Sequence, residues 1–134
     1  MTTRASGNYR IRFAAFFAVL ALCVSFVSGN VVAADAVQAR KDIRAMGMEY
    51  TGQDFAKVAG NGDMTAVQLF LDAGMDVNEG GSAAIGIAAG RGKTKMVQFL
   101  LSKGAKPTAN ALQYARTRGY QDIEKILVDA GAKE

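Results

Sequence analysis

Gly92, Lys93 and Thr94 stand in the order that closes a phosphate-binding loop, where glycines let backbone amides wrap a phosphate and a lysine reaches its outer oxygens. Spacing defeats that chemistry, because the loop needs a glycine five places before Gly92 and the chain has Ile87 there. Nor would an NTPase core fit into roughly 100 residues. Histidine is absent, which removes the usual general base, metal ligand and triad member. The single cysteine, Cys23, lies in an apolar N-terminal run that is expected to be removed. Asp72 and Asp76 are close in sequence, but they fall at a helix end and a loop, where solvated acids are ordinary. The expectation is therefore no catalytic residue, no metal and no cofactor, with Gly92 acting as a turn.

The elements that place these residues come in repeated phrases. GDMTAVQLFLDAG at 62–74, GKTKMVQFLLSKG at 92–104 and GYQDIEKILVDAG at 119–131 each begin and end on glycine. Each carries an apolar fifth residue (Ala66, Met96, Ile123) and an apolar triplet before its last three residues. The opening glycines, Gly62, Gly92 and Gly119, recur at a slightly uneven period of about 30 residues, which marks stacked units burying their faces against one another. Seven residues before each opening glycine stands Phe55, Ile85 or Leu112, and four before stands Val58, Ala88 or Ala115. That spacing predicts a short first helix, a glycine turn and a second helix with Val67, Phe70 and Leu71 on its buried side. Thr51 with Asp54, Ser82, and Thr108 or Asn110 are the expected helix starts.

Ala88-Ala89-Gly90-Arg91-Gly92, Gly104-Ala105 and Gly131-Ala132 make this pattern resemble the ankyrin repeat. The likeness covers about residues 50–134. It implies an all-α, helix-turn-helix repeat solenoid of about three repeats (50–79, 80–106, 107–134) behind an N-terminal capping helix at 35–49. Ala83-Ala84-Ile85-Gly86 and Asn110-Ala111-Leu112-Gln113 replace the family's Thr-Pro-Leu-His segment. The period is shorter than is usual in the family, which implies simple turns in place of β-hairpin fingers. Gly47 precedes Gly74 by the same step that separates Gly104 from Gly131, so the segment before Gly47 reads as the second helix of a degenerate first unit. In the middle unit Ala83, Ala84, Gly86, Ala88 and Ala89 are expected to let neighbouring first helices approach closely, and Met48, Met64, Met75 and Met96 to fill the core.

Residues 1–34 read as an export signal: Arg4, Arg10 and Arg12, an apolar run from Phe13 to Val27, and a small-residue tail Val32-Ala33-Ala34 with cleavage after Ala34. The alternative is an uncleaved anchor; both leave the repeats outside the cytoplasm, periplasmic or secreted. Leu22 immediately before Cys23 argues against lipid attachment. The net charge of +4 comes mostly from this segment. Three of the sixteen basic residues lie there, leaving thirteen basic against twelve acidic and little support for nucleic-acid binding. The mature chain is expected to be a monomer with no integral membrane segment.

The resemblance implies partner binding through the concave face of the first helices, where Lys57, Asn61, Ile87, Arg91, Tyr114, Thr117 and Arg118 would lie, with Gly60 and Gly90 among them. Glu79, Gly80, Gly81, Lys106 and Pro107 would form the loop rim. The partner is another protein, and the chain an adaptor, inhibitor or immunity protein without chemistry of its own. A second reading starts from charge segregation. Seven basic residues and no acid lie between Gly80 and Gln121, so the stretch 91–118 could meet an anionic surface or acidic partner. The same seven could equally be spread over a solvated face.

Overall fold

The computed structural model describes residues 33–134, of which Ala36–Glu134 form one compact unit. The expected export segment lies outside the described residues except for its last two positions, and so does Cys23. Among the described residues there are helices and no strand: α1 (33–45), α2 (Gly52–Asn61), α3 (Met64–Asp72), α4 (Glu79–Gly90), α5 (Thr94–Ser102), α6 (Ala109–Thr117) and α7 (Gln121–Asp129). No helix of the described residues is long and apolar enough to cross a membrane.

Helices of nine to twelve residues are marginal alone, so their ends need partners. Thr51 Oγ1 accepts from the Asp54 amide at 3.3 Å and Thr108 Oγ1 from the Ala111 amide at 3.2 Å, as expected of caps. Asp63 caps α3 in the same way, accepting from the Ala66 amide at 3.0 Å. Ser82 does not cap α4. It is buried, its backbone is left-handed (φ +65°), and its hydroxyl donates to Asn78 Oδ1 at 3.0 Å. The position equivalent to Thr51 and Thr108, eleven before the turn glycine, is Gly81.

Gly80, Gly81 and Ser82 together form one left-handed turn, with φ of 65°, 71° and 65°, within the span of α4. This turn accounts for the uneven period. The stretch from Gly74 to Gly92 is longer than those from Gly47 to Gly62 and from Gly104 to Gly119, which equal each other, so the additional residues lie before the right-handed part of α4, which starts after Ser82. What the sequence suggests is an open loop at 79–81 is therefore the start of a helical span interrupted by an inserted turn.

Every second helix closes alike. The amides of Met75, Ala105 and Ala132 donate to the carbonyls of Phe70, Leu100 and Leu127, five residues back, at 2.9, 3.0 and 2.9 Å. Between donor and helix lies Gly74, Gly104 or Gly131, at φ of +93°, +91° and +98°, a conformation that costs an L-residue about 1–2 kcal/mol. α1 closes on Gly47 with the same bond, from Met48 to Ile43 at 3.2 Å. Ile43 is fully buried, as are Phe70, Leu100 and Leu127 at the same register. α1 thus has the ending and buried residue of a second helix. Its Arg40 donates to the Ala73 carbonyl at the end of α3 (3.1 and 3.3 Å) and lies 4.7 Å from the Tyr50 ring centroid, placing a cation on the negative end of a helix.

The core runs through the middle of the stack, from Ile43 past Phe55 and Phe70, whose ring centroids are 5.7 Å apart, to Ile85, Leu100, Leu112 and Leu127. α2, α4 and α6 approach one another more closely than α5 and α7 do, and α3 and α5 scarcely touch. The first helices therefore form the more closely packed row. Met96 belongs to the core and Met48 and Met75 pack against it, but Met64, the first residue of α3, is exposed at the turn edge.

Candidate functional site

The close first-helix row follows from what stands two places before each turn glycine. There the chain has Gly60, Gly90 and finally Thr117. A Cβ on Gly60 would fall 2.5 Å from Ile87 Cγ2 and 3.3 Å from Arg91 Cδ; one on Gly90 would fall 3.4 Å from Tyr114 Cβ. Each glycine is the floor for a side chain of the following repeat. Thr117, at the same place in the third repeat, carries a side chain and is exposed. Gly86, by contrast, has open space where its Cβ would be, so the close approach does not depend on it.

These contacts assemble much of the expected strip. Ile87 and Arg91 lie on Gly60, Tyr114 lies on Gly90, and Arg91 Nη1 donates to Asn61 Oδ1 at 2.8 Å. Tyr114 remains 47% exposed and Ile87 half-buried, which leaves apolar surface beside the guanidinium. Arg118 and Arg91 sit at equivalent positions with nearly the same backbone, φ/ψ of −102°/0° and −103°/6°. Lys57, Thr117 and Arg118 are exposed. The rim residues separate. Glu79 reaches over Gly52 at the start of α2, whereas the Lys106 amide donates to Asn78 Oδ1 at 2.8 Å. Asn78 also donates to the Gly104 carbonyl at 3.2 Å, so one side chain ties two successive loops. Nothing in a single unrepeated asparagine signals that role.

The seven basic residues at 91–118 do not form one patch. Arg91, Lys93, Lys95 and Arg118 lie around the turns between paired helices, Lys103 and Lys106 at the opposite ends of the second helices, and Arg116 on α6 pairs with Glu124 at 2.7 Å and with Glu134. Its hydrogen bonds to Glu124 and then Glu134 push the Arg116 guanidinium pKa up. Arg116 and Gln113 occupy places held in the preceding repeats by small buried residues, Ala59 and Ala56, then Ala89 and Gly86. The outer side of α6 is accordingly polar and exposed.

The phosphate-loop look-alike is a turn in the structure. The amides of Gly92, Lys93 and Thr94 donate to the carbonyls of Ala89, Ala88 and Gly92, so none is free to wrap an anion. The Lys93 stem passes over Gly62, and the Tyr120 ring covers Gly92, whose Cβ would fall 2.9 Å from it. The Asp72 carboxylate accepts from Gln68 at 2.6 Å and that of Asp76 from the Asn78 amide at 2.8 Å. Among the described residues no three acidic, histidine or cysteine side chains gather at metal-binding distance.

Stacked helix pairs whose first-helix face mixes exposed cations, an aromatic ring and an aliphatic side chain define a repeat-type binding scaffold. The chain belongs to the ankyrin-repeat family: the family model described as ankyrin repeats (3 copies) matches residues 55–134. No curated protein and no solved structure gives a significant match. Ankyrin repeats are a non-enzymatic module for protein–protein interaction.

Proposed function

We propose that this chain is an exported ankyrin-repeat protein of the bacterial cell envelope, without chemistry of its own, that binds a partner protein on the face of α2, α4 and α6 as an adaptor or inhibitor. The observation that carries the reading is the grouping of Ile87, Arg91 and Tyr114 on the floor made by Gly60 and Gly90. An exposed tyrosine and arginine over a packed backbone have the composition of an interaction hot spot. Export rests on the basic, apolar and small-residue order of residues 1–34. The dispersal of the basic residues favours this face over binding to a flat anionic surface.

Photocrosslinking in intact bacteria tests it. A photoreactive residue at position 114 should give a discrete adduct with one protein, lost on Arg91→Ala, while the same residue at Lys125 on α7 should give none. The mature protein should be recovered from the periplasm with Asp35 as its first residue. Adducts from both positions alike, or a chain held in the cytoplasm, would overturn the proposal.

A further inference from the structure

We infer that the partner meets this face with an acidic segment in the polyproline II conformation, two carboxylates three residues apart flanking an aliphatic or aromatic side chain. The inference rests on the protein-binding reading above and specifies its chemistry.

Charge on the face is one-sided. Lys57, Arg91 and Arg118 are exposed along α2, α4 and α6, and the strip between them carries no acid. Among the described residues none of the three has a carboxylate within 4.0 Å, in contrast to Arg116, which pairs with both Glu124 and Glu134. Glu79 lies over Gly52 at the other end of α2, away from Asn61 and Arg91. Arg91 is positioned but not neutralised. Its bond goes to the uncharged Asn61, which takes one of five guanidinium donors and leaves an edge for a bidentate carboxylate.

Spacing supplies the second constraint. Arg91 and Arg118 hold equivalent places on helices that pack side by side, which puts them about 8–10 Å apart. A polyproline II segment covers that distance in three residues, at about 3.1 Å each, and returns both carboxylates to the same side. Ile87 and Tyr114 provide the apolar contact for the residue between. Three isolated cations interleaved with apolar side chains also fit carboxylates better than a continuous phosphate backbone.

The test is selection of a randomised linear peptide display library on the full-length chain, followed by solution binding of the enriched peptides. We expect Asp or Glu enriched at two positions three apart around an apolar residue. Binding should fall about thirtyfold or more in the Arg91→Glu, Arg118→Glu variant. Replacing the peptide's two acids by lysine should restore binding to that variant, which a misfolded protein could not do. Enriched peptides without acids, sensitive to Tyr114→Ala but not to the charge reversals, would overturn the inference and leave the protein-binding reading standing. Peptides indifferent to all three residues would sink both. Retention of phosphatidylglycerol vesicles or a DNA oligonucleotide in place of any peptide, lost on charge reversal, would reassign the face to that ligand.

Discussion

Arg91 reaches back along the chain to donate to Asn61 at 2.8 Å, so neighbouring repeats share a polar contact at the mouth of the face. Exposed hydrogen bonds of this kind contribute little to stability, about 0.5–1.5 kcal/mol. Asn61→Ala should therefore unfold at nearly the wild-type temperature yet bind acidic peptide less tightly, because Arg91 must be ordered on binding. Asn61→Asp should weaken the same peptide further by supplying an internal counter-ion. Parallel thermal melts and peptide titrations read both.

Two helical glycines should answer oppositely to the same change. Gly60→Ala drives a methyl into Ile87 and Arg91 and is expected to cost about 1–3 kcal/mol, outweighing its gain in helix propensity. Gly86→Ala fills open space and should stabilise by about 0.5–1 kcal/mol. Urea denaturation of the two variants would show midpoints on either side of wild type.

Asn78 ties the loop before α4 to the loop before α6 through the Gly104 carbonyl and the Lys106 amide. Asn78→Ala removes both bonds and that to Ser82, for a loss of about 1–3 kcal/mol. Asn78→Asp keeps the acceptor but loses the donor, and should fall between. Hydrogen exchange at Lys106 would accelerate in the alanine variant and stay slow in the aspartate variant.

Ser82 combines a left-handed backbone with a buried hydroxyl bonded to Asn78. Glycine would relieve a strain of about 1–2 kcal/mol while forfeiting the bond, so Ser82→Gly should be close to neutral. Ser82→Ala keeps the strain and loses the bond, at a cost of about 1 kcal/mol. A marked loss in the glycine variant would show that the hydroxyl matters more than the backbone.

Arg40 sits on the carbonyl end of α3 and against Tyr50. Arg40→Ala should lower stability by about 1 kcal/mol, with faster hydrogen exchange confined to the last turn of α3. Uniform acceleration across the unit would instead mean that α1 had come away.

The helix pairs and their buried registers were legible because packing imposes the same demand in each repeat. Phe55, Ile85 and Leu112 occupy one register and are buried, as are Phe70, Leu100 and Leu127. Singular features stayed hidden. Gly60, Gly86 and Gly90 look alike in sequence, and only the stagger of one first helix against the next shows that two are floors and one is not. Ser82 has the chemistry of a cap, but it lies inside the left-handed turn, one place past the register of Thr51 and Thr108, which Gly81 holds. Met64 is apolar and belongs to the phrase, yet at the first residue of α3 it lies at an edge that nothing covers. In the strip, Arg91 and Tyr114 could be placed by register, whereas the partnership of Arg91 with Asn61 depends on how adjacent units lean together.

The left-handed triplet at 80–82 has a further consequence for engineering the molecule. It is where one unit differs in length from its neighbours without disturbing the turn glycines on either side. Loop-closure cost grows slowly with length, about 0.6 kcal/mol per doubling, so longer inserts there should be accepted at small cost. A grafted recognition loop, a fluorophore attachment site or an affinity tag would then stand near the start of α4, on a segment whose length the array already varies.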